Sequence, residues 1–129
     1  MRRDVYSGTL KLFGKEHRET LREVNNYAVA LLILKRYANA KTLLRKSIPD
    51  ARRTLGDEHD LTLCVRSSLA ESLFFDAGAT RGDVAQAVAI YEDLLPRTRR
   101  VFGADHPRWR HVPKTLERMR KKLASFDDT

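Results

Sequence analysis

A short motif recurs three times in this chain, and its spacing constrains the fold more than any other feature. The motif is a hydrophobic residue, glycine, any residue, an acidic residue and histidine. Its glycines are Gly14, Gly56 and Gly103, and its histidines are His17, His59 and His106. Both landmarks are separated first by 42 residues and then by 47. A constant offset at two landmarks indicates an internal repeat, and periods of about 20–50 residues are typical of solenoids.

The five additional residues of the second interval coincide with the stretch GATRGD, residues 78–83. Insertions in repeat arrays fall in loops, and the two glycines here are typical of a loop. We therefore predict an insertion loop at residues 78–83. A phosphate-binding loop is not expected, because no Lys-Ser or Lys-Thr pair follows.

Each repeat is predicted to contain two helices. In the first repeat, apolar residues recur every three or four positions over residues 18–34 and over residues 37–55, as in packed helices. Ala28 and Ala40 are small where the two helices of a hairpin would cross closely. Further helices are predicted at 60–76, 83–102 and 107–124, after a partial helix at 3–13. Because the alternation of a strand is missing, the fold class is all-α, an α-solenoid of about six helices stacked as antiparallel hairpins.

The repeated motif is predicted to form the corner between successive hairpins. Its glycine would end one helix in the left-handed conformation, which other residues adopt reluctantly. Its acidic residue suits the positive N-terminal end of the next helix. Pro49 and Pro96 occupy equivalent positions inside the second helices. We predict that each proline bends its helix without ending it.

These elements predict a single domain that spans residues 1–129. Its parts are the partial helix 3–13, repeat one at 14–55, repeat two at 56–102, a C-terminal half-repeat or cap at 103–124, and a short tail at 125–129. The chain begins midway through a repeat. We expect either a fragment of a longer array or a first helix that serves as an N-terminal lid.

Composition narrows the class of protein. With 42% hydrophobic and 33% charged residues, the chain has the composition of a globular domain. The longest apolar run is too short to span a membrane, and no apolar segment follows the two N-terminal arginines, so neither membrane insertion nor secretion is expected. Cys64 is the single cysteine, which excludes an internal disulfide and fits a reducing compartment. Cytoplasmic localisation is predicted, with the nucleus and organelle interiors left open.

Motifs for catalysis or metal binding are missing, so we expect no enzyme, no cofactor and no metal. The three motif histidines lie one per repeat, and stacked repeats separate equivalent residues by about 10 Å. Zinc bonds are only about 2 Å long, so these histidines cannot share an ion. Cys64 lacks a CxxC partner. Trp109 is predicted to pack at a helix start, with an exposed binding role as the alternative.

The chain resembles tetratricopeptide repeats of the kinesin light chain type over residues 10–124. The matching residues are Asn25-Asn26, Tyr37-x-x-Ala40, Leu55-Gly56-Asp57-Glu58-His59 and Gly103-x-Asp105-His106-Pro107. The resemblance implies a right-handed solenoid with 42-residue repeats that acts as a non-enzymatic binding scaffold. There are also departures from the family pattern. Lys35 replaces the usual glycine between the helices, Ser67-Ser68 replace the second asparagine pair, Val84 replaces a tyrosine, and Glu117 replaces a small residue, as a solvated cap would.

The resemblance also implies a concave groove, lined by the first helices, that holds an extended peptide. The predicted partner-binding residues of the first repeat are Arg22, Asn25, Asn26, Val29, Leu32 and Ile33. Those of the second are Cys64, Ser67, Ser68, Glu71, Phe74 and Phe75. Those of the last helix are His111, Lys114, Arg118, Lys121 and Lys122.

The side chains of this set predict the chemistry of the ligand. Asparagine both donates and accepts hydrogen bonds, so Asn25 and Asn26 can pair with a peptide backbone. Phe74 and Phe75 would offer a flat apolar platform, and the basic residues would recognise anions. A protein or peptide partner with an apolar or aromatic anchor and acidic residues is therefore expected. For any single residue, core packing or a solubilising charge is an equal alternative.

Two other functions stay open at this point. The net charge is +8, and residues 97–129 hold +6 of it. Such a basic segment, with Trp109 available for stacking, could bind nucleic acid, although no nucleic-acid motif accompanies it. A short solenoid with incomplete end repeats could also form a homo-oligomer or join a larger assembly.

Overall fold

The protein is an all-α solenoid in the computed structural model, which describes residues 18–127. Its helices are α1 (Arg18–Ile33), α2 (Tyr37–Leu55), α3 (Asp60–Phe75), α4 (Arg81–Phe102) and α5 (Val112–Ser125). Within that range no residue lies in a strand. The predicted helix at 3–13, together with Gly14 and His17, falls outside the described residues.

The helices stack as consecutive hairpins. Each helix packs against the next one in the chain, and α1 also packs against α3, its equivalent in the following repeat. The small residues at the crossings are fully buried; they are Ala28 and Ala40 in the first hairpin and Ala70 and Ala87 in the second. Without a side chain beyond Cβ, these positions let the paired helices approach closely. The prediction for Ala28 and Ala40 is confirmed.

Large apolar side chains fill the space between the helices. The largest of them with 1% exposure or less are Leu21, Leu44, Leu63, Leu73, Tyr91, Leu94, Leu116 and Met119. One ion pair also joins the second hairpin, because the guanidinium of Arg66 on α3 donates to Asp93 on α4 at 2.7 Å. Across residues 18–127, none of the helices combines the length and apolar character needed to cross a bilayer.

The two motif glycines within the described residues end helices, as predicted. Gly56 follows α2 with φ +91° and Gly103 follows α4 with φ +87°, and each N–H donates back to the carbonyl four residues earlier. Both φ angles are therefore positive, as the predicted left-handed conformation requires, but the ψ angles of 162° and 163° are not those of a left-handed helix. The backbone instead turns through an extended, positive-φ region that is open almost only to glycine. The chain therefore makes the same sharp turn at the end of α2 and at the end of α4.

The two motif histidines within the described residues cap the turns that follow them. The Nδ1 atom of His59 accepts a hydrogen bond from the N–H of Leu61 at 3.1 Å. The Nδ1 atom of His106 accepts one from the N–H of Arg108, also at 3.1 Å. The His59 imidazole thus satisfies a backbone donor that the first turn of α3 leaves without a carbonyl. The His106 imidazole satisfies a backbone donor in the turns that precede α5. This contact gives the repeated histidine a structural role, which the sequence pattern alone did not reveal.

The start of α4 corrects the predicted insertion loop. The helix begins at Arg81, so residues 81–83 belong to its first turn. The Thr80 hydroxyl accepts the N–H of Asp83, and the Asp83 carboxylate accepts the N–H of Thr80. This reciprocal capping box starts the helix two residues earlier than predicted. Pro96 then lies inside α4, as Pro49 does inside α2, so the prediction that neither proline ends its helix is confirmed.

The last helix is shorter than predicted. Residues 107–111 form turns, and α5 begins at Val112. Pro113 explains the difference, because it has no N–H to donate to the carbonyl four residues earlier and is tolerated only in a first turn. Glu117 is exposed and pairs with Lys121 at 3.5 Å, in keeping with a solvated outer face.

Candidate ligand-binding groove

Three adjoining depressions follow the face formed by α1 and α3. The basic depression, of about 350 Å³, is lined by Arg18, Arg22, Asn25, Asn26, His59, Asp60, Leu61 and Arg108. The polar depression, of about 310 Å³, is lined by Asn25, Val29, Cys64, Ser67, Ser68, Glu71, Arg108, Trp109 and His111. The apolar depression, of about 360 Å³, is lined by Val29, Leu32, Ile33, Tyr37, Ser68, Glu71 and Phe75.

The depressions form one continuous groove, because neighbours share lining residues. Asn25 and Arg108 belong to both the basic and the polar depression. Val29, Ser68 and Glu71 belong to both the polar and the apolar depression. The order along α1 is therefore basic, polar and apolar. The first helix of each hairpin supplies most of the lining. Its apolar face packs against the core, so its opposite face is left to line the groove.

Most of the residues predicted to bind a partner line this groove. They are Arg22, Asn25, Asn26, Val29, Leu32 and Ile33 from α1, and Cys64, Ser67, Ser68, Glu71 and Phe75 from α3, with His111 just before α5. Ser67 and Ser68 are only 5% exposed, so they form its floor. The basic residues Lys114, Arg118, Lys121 and Lys122 are not among the residues that line the three depressions. A binding role for any of these residues stays a prediction.

The two phenylalanines do not form the flat platform that was predicted. Phe74 lies in the hydrophobic core with 6% exposure, whereas Phe75 is 40% exposed. Their ring planes meet at 62° with centroids 4.9 Å apart, an edge-to-face arrangement. The guanidinium of Arg118 lies 5.8 Å from the Phe74 centroid and the ammonium of Lys122 lies 5.2 Å from it. These cations therefore pack on an aromatic ring of the protein itself.

Several lining residues were not predicted from the sequence. Arg108 and Trp109 reach the groove from the connection between α4 and α5, and Tyr37 reaches it from the start of α2. Trp109 is only 4% exposed, so its predicted packing role is confirmed, but it lies in the turns before α5 and not at a helix start. In the sequence, the signal that could have placed Trp109 in the groove was its position beside the third corner motif, where the chain turns back toward α3.

A chain of hydrogen bonds runs beneath the polar depression. The Ser67 hydroxyl donates to Glu71 at 3.4 Å and lies 2.9 Å from the Tyr91 hydroxyl. The Tyr91 hydroxyl is in turn 3.3 Å from Nε2 of His111. Burial raises the pKa of Glu71, and burial followed by the Glu71 charge raises the pKa of Tyr91. Burial lowers the pKa of His111, which favours the neutral imidazole at pH 7.

Replacing Glu71 with glutamine is expected to raise the free energy of unfolding at pH 7. Burial raises the folded-state pKa of Glu71 above its ordinary value of 4.5. The folded protein therefore binds the Glu71 proton more tightly than the unfolded chain does. The contribution of Glu71 to stability is fully present below its pKa in the unfolded chain, and it is lost as the pH rises through its pKa in the folded protein. Glutamine does not titrate and can still accept a hydrogen bond from Ser67. Urea unfolding at pH 7 and at pH 4 measures the free energy of unfolding of both proteins, and the difference between variant and wild type should be smaller at pH 4. An equal difference at both pH values would contradict this account.

Cys64 lies in the groove but is not an activated nucleophile. Burial, followed by the neighbouring Asp60 charge, raises the pKa of the Cys64 thiol to about 11. The thiol is therefore protonated at neutral pH and weakly nucleophilic. Among the described residues, no group of three or more His, Cys, Asp or Glu side chains is placed to hold a metal ion.

The comparison with known families matches the observed architecture. The model of the tetratricopeptide repeat matches residues 24–60 and 79–108, just over half of the chain. The first segment runs from α1 through α2 to the start of α3, and the second runs along α4 to the following corner. No curated protein sequence matches the chain. The stacked helix hairpins and the family match together show that this chain belongs to the tetratricopeptide repeat family.

Proposed function

We propose that the protein is a non-enzymatic scaffold that binds an extended segment of a partner protein in the groove along α1 and α3. Tetratricopeptide repeats generally mediate protein–protein interactions and are generally not enzymes. The observation that carries the proposal is the continuity of the three depressions over two successive repeats. A continuous groove suits a chain segment better than a compact small molecule.

The length of the groove matches a short extended peptide. From Arg22 to Ile33, helix α1 rises about 16 Å at 1.5 Å per residue. An extended chain advances about 3.3 Å per residue, so about five residues of a ligand would span this distance. Asn25 and Asn26 lie near one end of that path, where their amides can donate to and accept from a peptide backbone.

The two ends of the groove differ in chemistry, which supports a ligand with both acidic and apolar residues. In the basic depression, Arg108 is paired with Asp60 and Arg22 with Glu19, and Arg18 adds a further positive charge. At the other end, Ile33 is 75% exposed and Phe75 is 40% exposed. Acidic side chains of a ligand would meet the arginines, and an aliphatic or aromatic anchor would cover the exposed apolar surface.

Replacing Asn25 and Asn26 together with alanine is expected to weaken binding of groove ligands about tenfold or more. The loss corresponds to about two hydrogen bonds of 0.5–1.5 kcal/mol each. Ligands can be obtained from a displayed library of random twelve-residue peptides selected on the immobilised wild-type chain. Fluorescence anisotropy of labelled selected peptides then gives the affinity of each variant.

The matched control for this experiment is Val101→Ser. Val101 is an apolar side chain with 42% exposure on α4, and it does not line the three depressions. It should leave the affinity unchanged, and both variants should keep the wild-type circular dichroism. Selected peptides that bind equally well to the double alanine variant would overturn the proposed function.

We further propose that the repeats are of the kinesin light chain type with a 42-residue period. The separation of Gly14 from Gly56 supports the period. Lys35 supports the type, because it stands at the family's glycine position and has φ +59°, a conformation that favours glycine. The domain division proposed from the sequence follows the same landmarks, with repeat one at 14–55, repeat two at 56–102 and the cap at 103–124.

Binding of nucleic acid by the C-terminal segment is less well supported. Many of its cations are paired with carboxylates of the chain. The pairs are Arg97 and Arg100 with Glu58, Arg108 with Asp60, Arg120 with Glu92, and Lys121 with Glu117. Such pairing reduces the positive potential that phosphates would meet. A salt-dependent mobility shift with single-stranded DNA would favour this alternative, and a mass that rises with concentration in sedimentation would favour self-association.

A further inference from the structure

We propose that the polar depression binds the cationic side chain of a lysine or arginine in the bound segment, with Glu71 as its counter-ion. The inference rests on the proposed function, because it assigns ligand chemistry to the middle of the same groove. It adds a positively charged residue to a proposed ligand whose other binding residues are acidic and apolar.

Glu71 is a carboxylate that has no counter-ion among the residues that the structure describes. It is partly buried in the groove, and within the described part of the chain it forms no ion pair with Lys, Arg or His. Its one hydrogen-bond donor there is the Ser67 hydroxyl at 3.4 Å. Neighbouring carboxylates differ, since Asp60 pairs with Arg108, and Asp93 pairs with an arginine on α3. A buried charge that lacks a partner is costly, and a ligand cation would remove that cost.

The positive groups that line the same depression are not available to Glu71. The guanidinium of Arg108 donates to the Asp60 carboxylate and lies 3.6 Å from the Cys64 sulfur. Burial lowers the pKa of His111, which favours its neutral form at pH 7. Its Nε2 instead faces the Tyr91 hydroxyl at 3.3 Å. Among residues 18–127, the charge of Glu71 therefore stays uncompensated by a cationic side chain.

Two further polar atoms beside Glu71 point to a ligand backbone. Trp109 is 4% exposed, and its indole N–H has no hydrogen-bond partner among residues 18–127. The side-chain oxygen of Asn25 is also buried without a partner in that range. Both residues line the polar depression. One is a donor and the other an acceptor, as a peptide carbonyl and a peptide N–H would require.

The order of the depressions predicts the spacing in the ligand. The α1 residues that line successive depressions shift by about four positions, which corresponds to about 6 Å. That distance is about two residues of an extended chain, whose alternate side chains share one face. The ligand pattern is therefore an acidic residue, any residue, Lys or Arg, any residue, and an apolar residue, in either chain direction.

The test selects peptides from the twelve-residue library on wild type and on Glu71→Gln, after circular dichroism has shown equal helicity. Wild type should enrich Lys or Arg midway between an acidic and an apolar residue. The Glu71→Gln variant should lose that enrichment and keep the flanking residues. For one selected peptide, replacing the cation with norleucine should weaken binding to wild type about tenfold and binding to Glu71→Gln much less, since the two changes remove the same contact.

Each alternative outcome has a distinct meaning. Peptides that depend on Asn25 and Asn26 but carry no midway cation, or that prefer an acidic residue there, would overturn the inference and leave the proposed function standing. If the norleucine substitution in the peptide weakens binding to wild type and to Glu71→Gln equally, the inference would be overturned and the proposed function would still stand. Selected peptides that depend on none of these groove residues would overturn both.

Discussion

Replacing Trp109 with alanine is expected to lower the free energy of unfolding by about 3–5 kcal/mol. The side chain is 4% exposed and belongs to the core cluster. Its ring stacks on Phe102 with an interplanar angle of 22° and centroids 6.2 Å apart. Removing it would leave a cavity where the last corner packs against the second hairpin. Because domains of this size are stable by only about 5–15 kcal/mol, urea unfolding should show a large shift of the midpoint.

Two variants separate loss of packing from a general effect of substitution. Trp109→Phe keeps much of the apolar volume and should cost clearly less than alanine. It also removes the indole N–H that lacks a partner in the described segment, so no hydrogen bond among those residues is lost. Val101→Ser alters an exposed apolar residue and should change stability by less than about 0.5 kcal/mol. An alanine variant as stable as the Val101 variant would show that Trp109 is not part of the core.

Replacing Gly56 or Gly103 with alanine is expected to cost about 1–3 kcal/mol each. At both positions φ is close to +90°, where a residue with a Cβ is strained. A Cβ built at either site meets no atom within 4 Å, so the cost comes from the backbone and not from a clash. The same loss at two equivalent corners would identify the motif glycine as a repeated structural requirement. Thermal and urea unfolding of each single variant measures it.

Gly82→Ala is the matched control. Gly82 lies in the first turn of α4, and a Cβ there would be 3.7 Å from the Thr80 hydroxyl, an ordinary contact. Alanine should stabilise the protein by up to about 1 kcal/mol, since it favours the helix and restricts the unfolded chain. The two classes of glycine should thus respond with opposite signs. Equal destabilisation at Gly82 and Gly56 would show that the positive φ is not the cause.

Sequence reasoning was most accurate where the cause is local. Helices α2 and α4 end at the residues expected, because each is followed by a glycine that takes positive φ. It was least accurate at helix starts that depend on a specific cap or on proline. The capping box at Thr80 and the missing N–H of Pro113 moved the starts of α4 and α5 in opposite directions. The capping box and Pro113 are both visible in the sequence, but the periodicity of the apolar residues does not indicate either of these helix starts.

The groove was predictable in outline but not in detail. The core stripe of α1 is formed by other residues, so the presence of Asn25 and Ile33 in the groove follows from helical periodicity. Periodicity does not distinguish Phe74 from Phe75, one of which is buried and the other half-exposed. That difference depends on α5, whose Lys122 donates to the Phe74 carbonyl at 3.0 Å.

The sequence by itself determined the helical repeat, its corners and the family, because these depend on residue spacing and on backbone preferences within a few positions. Only the tertiary structure decided which side chains meet in the groove. Glu71 has no counter-ion within residues 18–127, and Trp109 forms part of the groove wall, because segments distant in sequence pack beside α3. Burial and charge compensation are set by all the neighbours of a group in space, and a single sequence does not record where those neighbours lie.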